Sequence, residues 1–171
     1  MVVQSDYDTI MSALMKGDIK ALEEYSELID EFPNGKDHFI WRAWITNAVD
    51  CGNLEVVEWM LAKGVSVDFE DEEGFSVLHS AIDRDKPDKY KMMRALLEHG
   101  ADVNAKGMNN WTPSHRAAVQ NDLRALKLLN EFGADLTIRT EIDDYATPYE
   151  EALSCGAAME TLDWLKEHSP S

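Results

Sequence analysis

The chain has 171 residues, of which 44% are hydrophobic, and this composition suits one ordered domain. Sixteen basic against 33 acidic residues give a formal net charge of −17, which disfavours binding to nucleic-acid phosphates and to anionic membrane surfaces. The charge is compatible with a basic partner, and also with a role in solubility alone. No apolar run approaches the roughly 18 residues that cross a bilayer, and residues 1–6 do not form a signal peptide. We therefore expect a cytoplasmic protein with neither membrane nor nucleic acid among its partners.

Two helical patterns open the chain, and a second pair follows them. Ser5 or Asp6 can cap the first helix, and Gly17 turns the chain into a helix that ends near Glu31. Turn residues at 32–35 separate this pair from the next. The second pair runs from about 37 to 68, and apolar residues at helical spacing predict its second helix.

Residues 109–136 give the clearest pattern of the chain. Thr112 can cap a helix, and Pro113 fits the first helical position, where a missing N–H costs nothing. A second helix then has a wide apolar face made of Leu123, Leu126, Leu128 and Leu129. Gly133 supplies the positive φ that ends this helix. Two short antiparallel helices cannot bury such faces alone, so the pattern predicts that the unit is repeated.

Repeats are present at a nearly constant spacing. Related phrases begin at Gly64 (Gly-Val-Ser-Val-Asp), Gly100 (Gly-Ala-Asp-Val-Asn) and Gly133 (Gly-Ala-Asp-Leu-Thr), with spacings of 36 and 33 residues. The next cap position, Ser76 or Thr112, follows its glycine by 12 residues both times. A period near 33 with a Thr-Pro-x-His phrase is typical of ankyrin repeats. The chain resembles that family over nearly its whole length, most strongly at 75–136.

The resemblance implies an all-α ankyrin-repeat solenoid, in which stacked antiparallel helix pairs carry β-hairpin or turn fingers. We expect about five units in a single domain over 1–171, with degenerate units as caps at both ends. The expected units are about 5–34 (cap), 37–68, 69–104, 105–137 and 141–168 (cap). They depart from the family pattern in four places: Ala43-Trp44-Ile45-Thr46 replaces Thr-Pro-Leu-His, Asp85-Lys86-Pro87 is an insertion, Tyr145 replaces a glycine, and Glu150 replaces the histidine.

His79 and His115 occupy the same repeat position. The resemblance implies that each histidine hydrogen-bonds backbone groups of a neighbouring turn. A metal site would need the two rings to converge, but they belong to successive layers of the stack. The acidic run 68–74 also fails as a calcium loop, since aligning Gly74 with the glycine of an EF-hand puts Phe69 at the first ligand position. We expect no metal and no other cofactor.

Known catalytic motifs are absent from the sequence. Cys51 and Cys155 form no C-x-x-C motif and lie about three repeats apart, too far for a disulfide. The chain has no nucleophile elbow, phosphate-binding glycine loop or H-E-x-x-H segment. A stack of helix pairs offers a shallow groove and not the enclosed pocket that catalysis prefers. We therefore expect a protein that is not an enzyme.

In the ankyrin architecture the finger tips and first helices form a concave surface that contacts partners. The resemblance implies that the contacts come from thirteen residues: Phe39, Arg42, Glu72, Glu73, Phe75, Asp83, Met108, Asn109, Trp111, Gln120, Asp143, Asp144 and Tyr145. Aromatic residues within a charged rim are the usual composition of an interface hot spot. The alternative is that Phe75 and Trp111 only pack one finger against the next.

These observations predict a monomeric, non-catalytic module that binds another protein, basic in character, through an acidic and aromatic concave surface. Charge reversal at Glu72 and Glu73 should then slow association with that partner. An alternative function is that of an acidic inhibitor or immunity protein that neutralises a basic toxin or nuclease. The negative charge alone supports that alternative.

Overall fold

The protein is described by a computed structural model that covers residues 4–37, 39, 41–71, 73–141 and 145–169. Over these residues the chain forms ten α-helices and one 3₁₀ helix at Met108–Asn110. The α-helices follow one another as five pairs: α1 Gln4–Lys16 and α2 Ile19–Leu28, α3 Trp44–Cys51 and α4 Leu54–Ala62, α5 Val77–Asp83 and α6 Lys89–Glu98, α7 Pro113–Val119 and α8 Leu123–Glu131, α9 Pro148–Ser154 and α10 Met159–His168. The expected all-α solenoid is confirmed.

Local sequence signals fix several helix ends, but the cap predicted at Ser5 or Asp6 is wrong, because α1 begins before both residues. The Thr112 side chain accepts a hydrogen bond from the backbone N–H of His115, and Pro113 is the first residue of α7, as predicted. Thr147 and Pro148 start α9 in the same way. Gly133 follows α8 with φ of +86°, which confirms that a left-handed residue ends the helix.

The first helices α1, α3, α5, α7 and α9 pack in sequence, and the second helices α4, α6 and α8 form a layer beside them. One continuous apolar core runs through all five pairs and includes fully buried Leu14, Ile45, Leu78, Leu126 and Leu165. Each pair thus buries its apolar face against its neighbours, as the amphipathic patterns require. No helix in the described part of the chain is long and apolar enough to cross a membrane.

The fingers precede the first helices of the last four pairs. Each is closed by one backbone hydrogen bond, from Asp37 to Arg42, Asp71 to Phe75, Gly107 to Trp111 and Thr140 to Ala146, with N···O distances of 2.8–3.0 Å. We call these four turns, residues 37–42, 71–75, 107–111 and 140–146, the finger row. Among the described residues isolated bridges flank the first two fingers, at Lys36 with Ala43 and at Glu70 with Ser76, and no strand is present. The two outer fingers are longer than the two middle ones, because their closing residues are further apart in the sequence.

The inserted loop after α5 ties the third helix pair to the second. The Arg84 side chain is 1% exposed and donates to the backbone carbonyls of Val49 and Gly52, the latter at 2.8 Å. Asp88 receives two hydrogen bonds from the same guanidinium, both at 2.9 Å. Lys86 adds a contact to the Cys51 carbonyl at 2.8 Å. These cations satisfy carbonyls at the end of α3 that have no partner within the helix.

Candidate functional site in the finger row

The finger row contains a left-handed residue at the same place in each finger. Trp41, Gly74, Asn110 and Tyr145 have φ of +56°, +77°, +59° and +54°. Each stands two residues before the N-cap of the following helix. The backbone of the finger therefore requires a positive φ there, whichever residue the sequence supplies.

Two of these four residues are unsuited to that conformation. Glycine adopts a positive φ without strain and asparagine tolerates it, whereas other L-residues lose roughly 1–2 kcal/mol there. Trp41 and Tyr145 nevertheless occupy the position, with 65% and 63% of their surfaces exposed. Core packing does not account for large rings placed in this way. Strain retained at an exposed position is typical of a functional site.

Tyr145→Gly is expected to raise the free energy of unfolding by about 1 kcal/mol, because glycine removes the strain but adds backbone entropy to the unfolded chain. Urea unfolding followed by circular dichroism measures the change. Tyr145→Phe is the matched control, since it keeps the side chain and the strain and should leave stability unchanged. A glycine variant less stable than the wild type would show that the tyrosine ring stabilises the fold.

Buried histidines hold one finger to the next. The His79 ring accepts a hydrogen bond from the Ser76 N–H at 3.1 Å, and its Nε2 donates to the Trp111 carbonyl of the next finger at 3.0 Å. His115 repeats the arrangement with Thr112 and the Ala146 carbonyl, at 3.2 and 3.1 Å. The expected role of both histidines, to bond a neighbouring turn, is confirmed.

Burial makes the charged form of these rings unfavourable. It lowers the pKa of His79 from 6.5 to about 4, against the opposing effect of the Trp111 carbonyl, and it also lowers the pKa of His115. Both rings are therefore neutral at pH 7, with one nitrogen accepting and the other donating. In the last finger Glu150 replaces the histidine and accepts from the Thr147 N–H at 2.7 Å. That hydrogen bond is the main cause of the lowered pKa of Glu150.

Two of the predicted aromatic contacts, Phe75 and Trp111, pack against other residues of the protein. Phe75 is half-buried against Gly107 of the next finger, where an added Cβ would come within 2.2 Å of its ring. The Arg116 guanidinium covers the same ring at 5.1 Å. Trp111 is also half-buried, with its ring 5.5 Å from that of His115. The contact with Gly107 favours the packing alternative for Phe75, whereas the Trp111 ring packs on the helix that follows its own finger.

The other predicted residues separate into exposed side chains and links between units. Phe39, Met108 and Tyr145 expose 57%, 48% and 63% of their surfaces, and Glu73 is also exposed. Links between units involve four of the predicted residues: Arg42 donates to Ser80 at 3.5 Å, Gln120 donates to Asp83 at 2.6 Å, and the Asn109 carbonyl accepts from the Glu141 N–H at 2.9 Å. Glu72, Asp143 and Asp144 lie outside the described residues.

A groove of about 360 Å³ lies between the first two fingers of the row. We call it the finger groove; its lining residues are Lys36, Trp41, Arg42, Ala43, Thr46, Glu70, Asp71 and Glu73. Sequence reasoning found Arg42 and Glu73 but missed Trp41. The signal was available, because Trp41 stands two residues before the helix cap, where Tyr145 was recognised as replacing a glycine. The groove combines an exposed indole with three carboxylates and two cations, Lys36 and Arg42.

The described residues include no group of three or more His, Cys, Asp or Glu side chains that could hold a metal ion. Both cysteines are free. Cys51 donates to the Asn47 carbonyl at 2.9 Å, and burial raises the pKa of its thiol. A thiol with a raised pKa is a poor nucleophile at neutral pH.

Comparison with known proteins decides the family. A family model of three ankyrin repeats matches residues 10–107 and 45–140. The chain belongs to the ankyrin-repeat family. Ankyrin repeats generally mediate binding to other proteins, and the family is generally non-enzymatic.

Three relatives match part of this chain and a smaller part of their own sequences. BCL-6 corepressor-like protein 1 of Homo sapiens is 35% identical over 97 residues, which are 56% of this chain and 5% of the relative. An ankyrin repeat protein of Rickettsia felis is 32% identical over 100 residues, 58% of this chain and 26% of the relative. RelA-associated inhibitor of Mus musculus is 32% identical over 107 residues, which are 63% of this chain and 12% of the relative. The matches thus span between 5% and 26% of each relative's length.

Proposed function

We propose that this ankyrin-repeat protein, as a monomer and without catalysis, binds a basic partner protein along the finger row. The observation that carries the proposal is the pair of exposed aromatic residues, Trp41 and Tyr145, held in a strained backbone conformation. Exposed Phe39 lies in the same finger as Trp41 and enlarges the apolar surface. Rigid aromatic side chains supply much of the binding energy in protein interfaces.

The finger groove supports a basic partner in particular. Glu70, Asp71 and Glu73 line it together with the Trp41 ring and outnumber the two cations of the lining, Lys36 and Arg42, of which Arg42 pairs with Asp50. A lysine or arginine side chain of the partner can stack on an indole face and pair with carboxylates at the rim. Asp71 is occupied within its own finger, because its Oδ1 accepts from the N–H groups of Glu73 and Phe75 at 2.9 and 2.8 Å. Glu70 and Glu73 are therefore the proposed contacts for the incoming charge.

The remaining features are consistent with this proposal. The name of RelA-associated inhibitor states that this relative associates with RelA, and the relative matches this chain over 107 residues. Both cysteines are unpaired, which supports a reducing compartment such as the cytosol. The net charge of −17 disfavours self-association and so supports a monomer. The inhibitor alternative requires in addition that the partner lose its own activity on binding.

The double reversal Glu70→Lys with Glu73→Lys is expected to slow association with the partner about tenfold at low salt, with a smaller effect at high salt. The partner is first captured with a photo-crosslinking residue at position 41, and stopped-flow kinetics then give the association rate. Glu24→Lys with Glu27→Lys on α2 changes the net charge equally and is the control, because both carboxylates are exposed and lie away from the row. Equal slowing by both double variants would reject the finger groove as the site.

A further inference from the structure

A second groove lies on the layer of second helices. It occupies about 310 Å³ between α6 and α8 and is lined by Tyr90, Lys91, Arg94, Arg124, Lys127, Leu128 and Glu131. We call it the outer groove. Four of its seven lining residues are cations and one is an acid, although the whole chain carries a net charge of −17. This local reversal of sign is what the inference rests on.

The four cations occupy equivalent positions of two neighbouring repeats. Lys91 and Arg124 each precede the helix-ending glycine of their unit by nine residues, and Arg94 and Lys127 precede it by six. In the preceding unit the same two positions hold Glu55 and Glu58. The stacking of α6 on α8 therefore brings two basic pairs together on one part of an otherwise acidic layer.

Aromatic rings hold the guanidinium groups in place. The Arg124 guanidinium lies 4.2 Å from the centre of the Tyr90 ring. Tyr90 is itself anchored, because its hydroxyl donates to Asp122 at 3.0 Å and Asp122 also pairs with Lys89 at 2.6 Å. A guanidinium stacked by its face keeps its in-plane N–H donors available for a carboxylate.

Most of the positive charge in the outer groove is uncompensated. Arg94 pairs with Glu131 at 2.6 Å. Lys91, Arg124 and Lys127 form no ion pair with any carboxylate in the part of the chain that the structure describes, and both lysines are exposed. Three cations without a described ion pair thus line a groove together with Tyr90 and buried Leu128.

We infer that the outer groove binds an acidic segment of a second protein, independently of the finger row. Carboxylates of the segment pair with Arg124, Lys91 and Lys127, and its apolar side chains lie on Tyr90 and Leu128. A nucleic acid is a poorer match, since its extended phosphate chain would also meet the acidic remainder of the protein. A short peptide stays within about one Debye length, 8–10 Å, of the groove cations, so the remote acids are largely screened.

The test uses the full chain and a fluorescein-labelled peptide of about eight residues, long enough to cross two helices, with alternating glutamate and leucine. Fluorescence anisotropy is measured at about 0.15 M ionic strength, and amide shifts in ¹H–¹⁵N spectra locate the contact. Binding is expected, with the largest shifts at 90–94 and 124–131. Absence of binding, or shifts elsewhere on the protein, would overturn the inference.

Arg124→Gln with Lys127→Gln should weaken peptide binding about tenfold or more, because two charge pairs are lost. Lys20→Gln with Lys166→Gln removes the same charge from α2 and α10 and should change the affinity less than about twofold. Equal weakening by both double variants would reject the outer groove. Tighter binding of a single-stranded oligonucleotide of equal length, or full displacement of the peptide by millimolar inorganic phosphate, would also contradict an acidic-peptide site.

Discussion

Arg84→Met is expected to lower the free energy of unfolding by about 3–5 kcal/mol, the usual result of breaking a buried, hydrogen-bonded charge pair. Methionine fills a similar volume but removes the guanidinium donor of the Val49 and Gly52 carbonyls, of which Gly52 keeps only the Lys86 ammonium at 3.0 Å as a described donor. It also leaves the Asp88 carboxylate without the hydrogen bonds that hold the pKa of Asp88 below its usual range. Asp88 would keep its hydrogen bonds to backbone N–H groups, including that of Leu54 at 3.1 Å.

Urea unfolding at pH 7 measures the effect of Arg84→Met. Arg84→Lys should recover part of the loss, because an ammonium keeps the charge but cannot reach several acceptors at once. Arg94→Met is the matched control, since Arg94 pairs with Glu131 at the surface and that pair is worth about 1 kcal/mol or less. A loss at Arg84 no larger than the loss at Arg94 would show that the inserted loop does not hold the second and third units together.

Acidification from pH 7 towards pH 4 is expected to cost roughly 3 kcal/mol of stability through His79 alone. The pKa of His79 is about 4 in the folded protein, whereas an unfolded histidine titrates near 6.5. Between these values the unfolded chain binds a proton that the folded chain does not. The part of the unfolding free energy that depends on neutral His79 is therefore fully present above pH 6.5 and is lost as the pH falls to about 4. His115 changes in the same direction.

Unfolding free energies at pH 7, 5.5 and 4.5 should fall steadily in the wild type and much less in a variant with His79→Asn and His115→Asn. That variant is less stable at pH 7, so the slope with pH is the quantity compared. His168→Asn is the control, because it removes an exposed imidazole and leaves both buried rings in place. The pKa values of Asp88 and Asp122 are lowered in the folded protein, so the stability that their ionised forms provide is lost only below about pH 4. That loss lies outside the range of pH 7 to 4.5 that is measured. If the unfolding free energy of the double variant fell with pH as steeply as that of the wild type, the two buried histidines would not be the cause of the pH dependence.

The sequence was sufficient for the fold because the relevant signals are local and repeated. Thr112 and Pro113 start their helix through their own chemistry, and Gly133 ends the next helix by its conformational freedom. The period between glycines then predicts which helices stack. The role of His79 and His115 also followed, since the same residue recurs at the same place in the repeat.

Other features depend on contacts that no local pattern encodes. Arg84 reaches carbonyls more than 30 residues earlier in the chain, so its role appears only in three dimensions. Phe75 looked like a candidate for partner contact, yet its ring lies on Gly107, 32 residues later. The outer groove could have been found from the sequence, because its cations are 33 residues apart. Finding it required comparing charges between repeats as well as apolar residues.

The hydrogen bonds of His79 and His115 set the distance between neighbouring fingers. Packed helices lie about 10 Å apart, so contact points along the finger row recur at about that interval. A partner helix rises 1.5 Å per residue, and its every seventh residue therefore advances by about 10.5 Å. A helix with lysine or arginine at every seventh residue would therefore place one cation at each successive finger. In a helix with its cations four residues apart, the spacing of about 6 Å would not match that of the fingers, and only the first cation would lie at a finger.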